Sequence, residues 1–264
     1  MKVGFIGGGN MASAMIGGML RKAVVSRDDL MVSVHTQASA DRLREQFGIL
    51  AVTDNASVAE TSDIVFLAVK PNICEKIIVE IASYITPGKI VVSIIPGRSL
   101  EWLDTTFGKP TKLVRTMPNT PALVGEGMTG VCVNELITDD EREYVMTLLK
   151  SFGRAQLVPE RLMDAVVGVS GSSPAYVFLF IEALADAAVA EGMPRKQAYE
   201  FAAQSVLGSA KLVLETGKHP GELKDMVCSP GGTTIEAVCI LEKEKMRSAV
   251  IEATRACVRK AKEV

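Results

Sequence analysis

A glycine-rich segment near the start of the chain carries the clearest chemical signal, in the order Val3-Gly4-Phe5-Ile6-Gly7-Gly8-Gly9-Asn10-Met11-Ala12. It places the spacing G-x-G-x-x-A after a short apolar run and before a helical pattern, the context in which this motif binds a dinucleotide. Gly7 allows the tight turn, Gly9 lets a pyrophosphate approach the backbone, and Ala12 lets the helix lie close on the strand. The first N–H groups of the helix can donate to the anion. We therefore expect residues 6–12 to bind a dinucleotide cofactor; a turn needed only for packing is the alternative.

The residues after the second predicted strand bear on which dinucleotide binds. The acidic pair Asp28-Asp29 precedes that strand and so lies at the wrong end of it to hold the ribose of NAD. At its carboxyl end, His35 and Thr36 open a polar segment, and Arg42 lies one turn into the next helix. Hydroxyl groups, a helix start and a nearby cation suit a 2′-phosphate better than a carboxylate would. We predict NADPH, with NADH possible; a merely solvated loop is the alternative interpretation.

Three more loops follow predicted strands, at the edge where ligands of open α/β sheets bind. The first is Ala68-Val69-Lys70-Pro71, in which Lys70 is a candidate anion ligand, although a lysine is more often only a surface cation. The second contains Ile94 and Pro96, which we expect to lie beside the cofactor. The third, residues 117–121, has two prolines and reads as a rigid loop that faces the same cleft.

A second glycine-rich turn stands late in the chain, in the order Ser229-Pro230-Gly231-Gly232-Thr233-Thr234-Ile235-Glu236. Thr233 and Glu236 match a capping box, which would start a helix at this point. The backbone N–H groups beside Gly231 and Gly232 would then remain available to hold a small carboxylate, and the hydroxyl of Thr234 could address a neighbouring polar atom. A helix cap with no further role is the commoner meaning of this spacing.

The elements that must position these residues follow a simple alternation in the first half. Compact runs rich in Val and Ile predict strands at 2–6, 31–35, 64–68, 90–94, 112–116, 130–133 and 155–158. Helices are predicted between them, at 10–22, 39–47, 72–84, 100–107 and 139–152. Strand and helix in alternation favour an α/β fold, a doubly wound parallel sheet of the Rossmann type with helices on both faces.

The alternation stops after Val158, and the rest of the chain predicts helices only, at 174–191, 194–216, 221–227, 234–241 and 245–262. We place a domain boundary near Pro159-Glu160, which gives a dinucleotide-binding domain at 1–159 and a helical domain at 160–264. The helix at 174–191 is apolar on most of its circumference and must be covered on most sides. Five helices alone can hardly cover it, so a partner subunit is expected.

Composition excludes several classes of protein. The 264 residues carry 29 lysines and arginines against 31 aspartates and glutamates, a net charge of −2 that makes nucleic acid an unfavourable partner. The five cysteines are widely spaced without a C-x-x-C pattern, so we expect no metal site and no disulfide framework, and a reducing cytoplasm suits free thiols. The first residues show no signal-peptide pattern. The uncharged run at 165–181 is too short and too broken to span a membrane.

Taken together, the motifs resemble those of pyrroline-5-carboxylate reductases. The resemblance rests on residues 4–12, 68–71 and 117–121, on Ser170-Gly171-Ser172-Ser173-Pro174-Ala175-Tyr176, and on the blocks 219–221 and 229–235, which occur in the family's order and spacing. The last two groups are the specific ones, because many Rossmann proteins share the first. One position departs from the family pattern, since Ser173 stands where the family has a glycine, and a serine there needs an ordinary φ.

The resemblance implies reduction of the cyclic imine Δ1-pyrroline-5-carboxylate to L-proline by NAD(P)H, the last step of proline biosynthesis. It implies that the helical domain interlocks with a second subunit, so that the chain is at least a dimer and higher assemblies of dimers are compatible. By position, residues 6–12 and 68–71 would bind the cofactor, with Asn55 near the adenosine ribose. Glu160, Val227, Gly232, Thr233 and Thr234 would line the substrate site, together with Gly231 from the turn described above.

A protonated cyclic imine is already electrophilic, so this chemistry needs neither a histidine relay nor a metal, which suits a chain with two histidines. The protein must orient the reactants, hold the carboxylate and place a hydroxyl near the ring nitrogen. Thr234 is our candidate for that hydroxyl. Two alternatives remain: a 3-hydroxyacid dehydrogenase, which would need a lysine such as Lys196, Lys211 or Lys218 in a recognisable motif, and a non-catalytic nicotinamide sensor, which would need a docking module.

Overall fold

The computed structural model describes residues 1–263, which divide into two compact units. The first unit comprises Met1–Ser172 together with the chain from Cys257 onward, and the second comprises Ser173–Ala256. Residues 160–172 belong to the first unit because they are bonded to its sheet: the side chain of Glu160 pairs with Arg115, and Asn119 donates to the carbonyl of Ser170. A packing unit and a functional segment need not end together, so the boundary at 159/160 stays a prediction.

The first unit is built on one eight-stranded sheet in the order β3-β2-β1-β4-β5-β6-β7-β8. The strands are β1 Val3–Ile6, β2 Leu30–Ser33, β3 Leu50–Val52, β4 Ile64–Leu67, β5 Ile90–Ser93, β6 Lys112–Met117, β7 Gly127–Val133 and β8 Gly153–Leu157. Every neighbouring pair is parallel except β6 and β7, which are antiparallel. The predicted α/β class is confirmed, and the sheet departs from the predicted parallel arrangement at this pair alone among the described strands. A short 3₁₀ turn at Thr120–Val124 joins the two strands, and without a crossover helix the chain must reverse.

Twelve α-helices lie in the described part of the chain. They are α1 Asn10–Arg21, α2 Gln37–Phe47, α3 Asn55–Thr61, α4 Pro71–Ile81, α5 Leu100–Phe107, α6 Asp139–Lys150, α7 Met163–Val166, α8 Ser173–Ala190, α9 Arg195–Thr216, α10 Pro220–Val227, α11 Thr233–Lys243 and α12 Met246–Ala261. The sequence prediction missed β3, α3 and α7. All three are short, and β3 pairs on one side only, so their few residues gave no periodic pattern.

Apolar side chains pack on both faces of the sheet, as the continuous apolar strands require. Phe5 and Ile6 show the alternation, since Phe5 belongs to one buried cluster and Ile6 to the other. The ring of Phe5 stacks on Phe66 of β4 with centroids 4.6 Å apart. This double burial fixes the register of β1, and with it the place where the glycine-rich turn begins.

The helical second unit has a very small core of its own. Its cluster of buried apolar residues consists of Ala185, Ala198 and Ala202. Large apolar side chains lie at the surface instead, among them Leu179, which is 68% exposed, and Phe201, which is 67% exposed. A chain folded in this way leaves most of its apolar helix surface uncovered.

The helical stretch Glu160–Ala190 is, among the described residues, the one long and apolar enough by length and composition to cross a membrane. This helical stretch extends beyond both ends of the uncharged run at 165–181 for which the sequence predicts no membrane span. The expectation that this chain does not enter a membrane stays a prediction.

Ser173 begins α8 without backbone strain. The non-glycine residues with positive φ in the described chain are Ala23 and Lys245, so Ser173 adopts an ordinary φ where the family pattern has glycine. The turn that precedes it is a π-helical segment, Val167–Gly171, and Ser170 donates its hydroxyl to the carbonyl of Val166.

Candidate active site

A cavity of about 730 Å³ lies at the carboxyl edge of the sheet in the first unit. It is lined by Ile6, Gly7, Gly8, Gly9, Asn10, Met11, Ala12, Ser33, Val34, His35, Ser39, Arg42, Thr53, Asn55, Ala68, Val69, Lys70, Ile73, Ile77 and Ile94. The residues come from the ends of β1, β2, β3, β4 and β5, around the strand where the sheet order changes direction. This is where a doubly wound sheet binds a dinucleotide.

Each of the three glycines of the first turn lacks a side chain for a different structural reason. Gly7 has a φ of +101°, and a Cβ there would lie 2.3 Å from the carbonyl oxygen of Ala68. A Cβ on Gly8 would lie 2.5 Å from side-chain atoms of Leu43 and Val34. At Gly9 an added Cβ would meet no heavy atom within 4 Å, so the bare backbone faces open space in the cavity.

Helix α1 begins directly behind this opening. Its N-cap is Gly9, which supplies no side-chain hydrogen bond. The first backbone bond of the helix runs from Ser13 to Gly9, so the N–H groups of Asn10, Met11 and Ala12 have no backbone acceptor in the described chain. Unused donors beside a bare glycine are the arrangement that binds a pyrophosphate.

Most of the predicted cofactor residues line this cavity: residues 6–12 with His35, Asn55, Ala68, Val69, Lys70 and Ile94. The structure does not bring the other three to its wall. Thr36 is the N-cap of α2 and accepts from the N–H of Ser39, Pro71 is the first residue of α4, and Pro96 is exposed.

Sequence reasoning missed several residues of the cavity wall. Ser33 and Val34 were taken only as strand residues, and Thr53 follows β3, which was not predicted. Ile73 and Ile77 lie four positions apart on α4 and so share one helix face. That spacing was visible in the sequence, but an apolar i, i+4 pair normally indicates core.

Two cationic side chains on the cavity wall have no ion-pair partner in the described residues. Arg42 and Lys70 are exposed, and neither makes a side-chain hydrogen bond or an ion pair in the described residues. Nearby Arg44, by contrast, is paired with Asp41 and donates to the carbonyl of Ala51. An unpaired cation keeps its full attraction for a phosphate, so the cavity suits an anionic ligand.

Glu160 of the predicted substrate set lies in the first unit, where its Oε1 atom has two donors. The N–H of Leu100, at the start of α5, donates to it at 2.7 Å, and Arg115 of β6 donates at 2.9 Å. Burial, together with the negative charge of Glu160, raises the pKa of the Cys132 thiol on the adjacent strand to about 12. Cys132 is therefore protonated at neutral pH and does not act as a thiolate nucleophile.

The other predicted substrate residues lie in the second unit, where Val227 ends α10 and residues 231–234 lead into α11. Here the capping-box prediction is wrong: Gly232 is the N-cap, without a side-chain hydrogen bond, and Thr233 is the first helical residue. Gly231 takes a φ of +68°, and the N–H of Gly232 donates to the carbonyl of Ser229 at 3.0 Å. The turn made by these glycines starts the helix one residue earlier than a cap at Thr233 would.

This correction changes which groups are available. The N–H of Gly232 is occupied, whereas the N–H groups of Thr233, Thr234 and Ile235 have no backbone acceptor in the described chain. Neither threonine hydroxyl has a hydrogen-bond partner there; Thr233 is exposed and Thr234 is half-buried. Three unused N–H groups at the start of an eleven-residue helix can hold a small carboxylate.

His219, the histidine closest in sequence to this turn, has a structural role. It is the N-cap of α10, and its Nδ1 accepts from the N–H of Gly221 at 3.0 Å. This contact uses His219 as a helix cap.

Comparison with known proteins identifies the family. A family model described as pyrroline-5-carboxylate reductase dimerisation matches residues 160–264, and one described as NADP oxidoreductase, coenzyme F420-dependent, matches residues 2–97. Pyrroline-5-carboxylate reductase of Escherichia coli strain K12 is 51% identical over 263 residues, which cover 100% of this chain and 98% of the relative. The chain belongs to the pyrroline-5-carboxylate reductase family.

Solved structures agree with this assignment. Plasmodium falciparum pyrroline carboxylate reductase with NADP bound has a TM-score of 0.90 at 32% identity, with 100% of this chain and 97% of that chain covered. The pyrroline-5-carboxylate reductase of Coxiella burnetii has a TM-score of 0.93 at 34% identity, covering 99% and 97%. The resemblance drawn from the motifs is confirmed. The chain is an oxidoreductase of the C=N-reducing type that uses a nicotinamide cofactor, and its dimerisation segment makes it a homo-oligomer.

Proposed function

We propose that this chain reduces Δ1-pyrroline-5-carboxylate to L-proline, the last step of proline biosynthesis, in the cytoplasm. The full-length match to a reductase of this name carries the proposal. The cavity at the change of strand direction supports it, because a bare Gly9, unused N–H groups and two free cations fit a dinucleotide. All five cysteines are free, as suits a reducing compartment.

A steady-state assay with Δ1-pyrroline-5-carboxylate and NADPH tests this function directly. We expect cofactor oxidation that depends on the imine and yields proline as the measured product. If the protein oxidised NADPH only when a 3-oxoacid was supplied, that result would overturn the proposal in favour of the dehydrogenase alternative. Two of the lysines that alternative needs, Lys211 and Lys218, form surface pairs with Glu215 and Glu222.

The surroundings of each group indicate whether it would bind the cofactor or the substrate. The nicotinamide, when bound, supplies the hydride. Asn10, Met11 and Ala12 would hold the pyrophosphate through their N–H groups, while residues from β2, α3 and the segment 68–70 would hold the rest of the cofactor. The N–H groups of Thr233, Thr234 and Ile235 would hold the carboxylate of the imine.

Thr234 is the group we place nearest the reacting nitrogen. Thr234 is half-buried and its hydroxyl has no partner in the described chain, so it can hydrogen-bond the ring nitrogen as the imine becomes an amine. A threonine hydroxyl does not ionise near neutral pH, and its role is therefore to orient rather than to deliver a proton as a strong acid. Glu160, Val227, Gly231, Gly232 and Thr233 complete the proposed substrate set.

We predict that NADPH is used at least as well as NADH. We also predict that Arg42 contributes to the binding of NADPH but not to the binding of NADH. Arg42→Gln should raise the KM for NADPH by roughly tenfold, the value of one exposed charge-assisted hydrogen bond, while leaving the KM for NADH nearly unchanged. Parallel kinetics with both cofactors measure this. A wild-type preference for NADH in kcat/KM, or equal losses with both cofactors in the variant, would contradict the assignment.

We predict a dimer at minimum, formed through the C-terminal helices, with assemblies of dimers compatible. Leu179→Glu on α8 places a charge on a side chain that is 68% exposed in the single chain, and should shift sedimentation to a smaller species. The matched control is Leu50→Glu on the edge strand β3, a residue 55% exposed, which should leave assembly unchanged. A wild-type chain that is active and monomeric at micromolar concentration would overturn the prediction.

A further inference from the structure

Three polar side chains form a chain of hydrogen bonds at the wall of the cofactor cavity. The hydroxyl of Ser33, at the end of β2, donates to Oδ1 of Asn55 at 2.7 Å. Nδ2 of Asn55, the first residue of α3, donates to both carboxylate oxygens of Glu80, at 3.1 and 3.2 Å. Ser33 is fully buried, and both Ser33 and Asn55 line the cavity. Glu80, in the last turn of α4, is not part of the wall and acts on it only through Asn55.

Glu80 decides which way the amide of Asn55 points. Ser33 cannot do so alone, because a hydroxyl donates or accepts as required. Its Oγ also lies 3.5 Å from the carbonyl oxygen of Phe5, so it could donate there and accept from a flipped amide. A carboxylate only accepts, and it therefore excludes the orientation in which Oδ1 would face it.

The fixed orientation leaves one donor for a ligand. The two oxygens of one carboxylate lie on the same side of Nδ2, so a single N–H serves both contacts. The second N–H of Nδ2 points in another direction and has no acceptor in the described residues. Residues at the carboxyl ends of β2 and β3 face the adenosine half of a dinucleotide in this fold. A fixed N–H there fits an oxygen atom of that half.

We propose that Glu80 is a positioning residue for cofactor binding, which holds the Asn55 amide so that its second N–H meets an oxygen common to NADPH and NADH. This deepens the proposed function, since it rests on the cofactor site assigned above. If Glu80 acted only through its charge, its removal would have the opposite effect on cofactor affinity from the loss of its positioning role. A carboxylate near a binding site for phosphates repels them, so removing the charge alone would tighten cofactor binding.

The test is direct calorimetric binding of NADP⁺ and NAD⁺ to the purified protein without imine, so that it does not depend on the reaction. Glu80→Gln accepts either orientation of the Asn55 amide, so it should weaken binding of both cofactors by roughly two- to tenfold, according to the fraction of Asn55 that flips. The KM for the imine and kcat should stay the same. Glu75→Gln removes the same charge from the same helix at an exposed residue without a polar partner, and should leave both dissociation constants unchanged.

A second variant separates positioning from any structural role of Glu80. In an Asn55→Ala background, Glu80→Gln should cause no further loss of cofactor affinity, because the amide that it orients is gone. Thermal stability should not fall, since a carboxylate at the C-terminal end of a helix is unfavourable to begin with. Unchanged or tighter cofactor binding in Glu80→Gln, or an equal loss in the Asn55→Ala background, would overturn the proposal. A wild-type protein that binds both cofactors but does not reduce the imine would instead count against the proposed function and leave this inference standing.

Discussion

Replacing Gly9 by valine should abolish useful cofactor binding while the first unit keeps its fold. The backbone at Gly9 has φ −75° and ψ −175°, a conformation open to any residue, and an added Cβ meets no protein atom within 4 Å. The valine would therefore fit the folded chain without strain and project into the cavity, where the pyrophosphate must approach the first N–H groups of α1. Losing about two charge-assisted hydrogen bonds corresponds to a loss of affinity on the order of a hundredfold or more.

Calorimetry with NADP⁺ measures the loss of cofactor affinity, and a thermal melt of the same preparation shows whether the fold is intact. Gly88→Val is the matched control, because a Cβ at Gly88 also meets open space but lies away from the cavity. Gly8→Val, unlike Gly9→Val, should destabilise the fold, because its Cβ would lie 2.5 Å from side-chain atoms of Leu43 and Val34. Cofactor affinity unchanged in a folded Gly9→Val protein would remove residues 6–12 from the cofactor site.

Thr234→Ala should lower kcat/KM for the imine by roughly ten- to a hundredfold, which corresponds to losing one hydrogen bond of about 1–3 kcal/mol in the transition state. Cofactor affinity should stay nearly intact, because Thr234 is not among the residues that line the cofactor cavity. Thr234→Ser keeps the hydroxyl and should be mild. The structure sharpens this test, because the hydroxyl of Thr234 plays no part in capping α11.

The competing hypothesis gives Thr234 only a place in the first turn of α11. It predicts that the alanine variant melts at a lower temperature but turns over normally per folded molecule. Kinetics and melting curves of the Ala and Ser variants separate the two hypotheses. Since no side chain caps the helix, Thr234→Ala should cost little stability, and full activity in that variant would end the catalytic role.

The second unit explains why this chain is expected to need a second copy for its stability. Its buried core is three alanines, far too little apolar burial for roughly eighty residues to fold independently. The apolar circumference of α8 was visible in the sequence and indicated a partner. The structure adds that the chain supplies almost none of the cover itself, since only Pro174 and Ala185 of α8 are buried. Binding of a second copy therefore contributes stability as well as assembly.

The sequence by itself determined the features that depend on neighbouring residues. The strand–turn–helix at residues 3–21 follows from apolar residues, glycines and a helical pattern in direct succession, and α5 at Leu100–Phe107 was predicted with its exact bounds. The glycine positions of the first turn were also readable, because the sharp turn at Gly7 and the bare backbone at Gly9 are local requirements.

Only the tertiary structure decided which distant side chains meet. Ser33, Asn55 and Glu80 are separated by 22 and 25 positions and lie on three elements, one of which had not been predicted. The start of α11 was misjudged by one residue for a local reason: a capping box and a cap at Gly232 have the same sequence pattern, and the hydrogen-bonded turn from Ser229 to Gly232 selects the second. Local patterns fix the conformations that a segment can adopt. Packing and hydrogen bonds to distant parts of the chain choose among them, because those contacts exist only once the sheet has assembled.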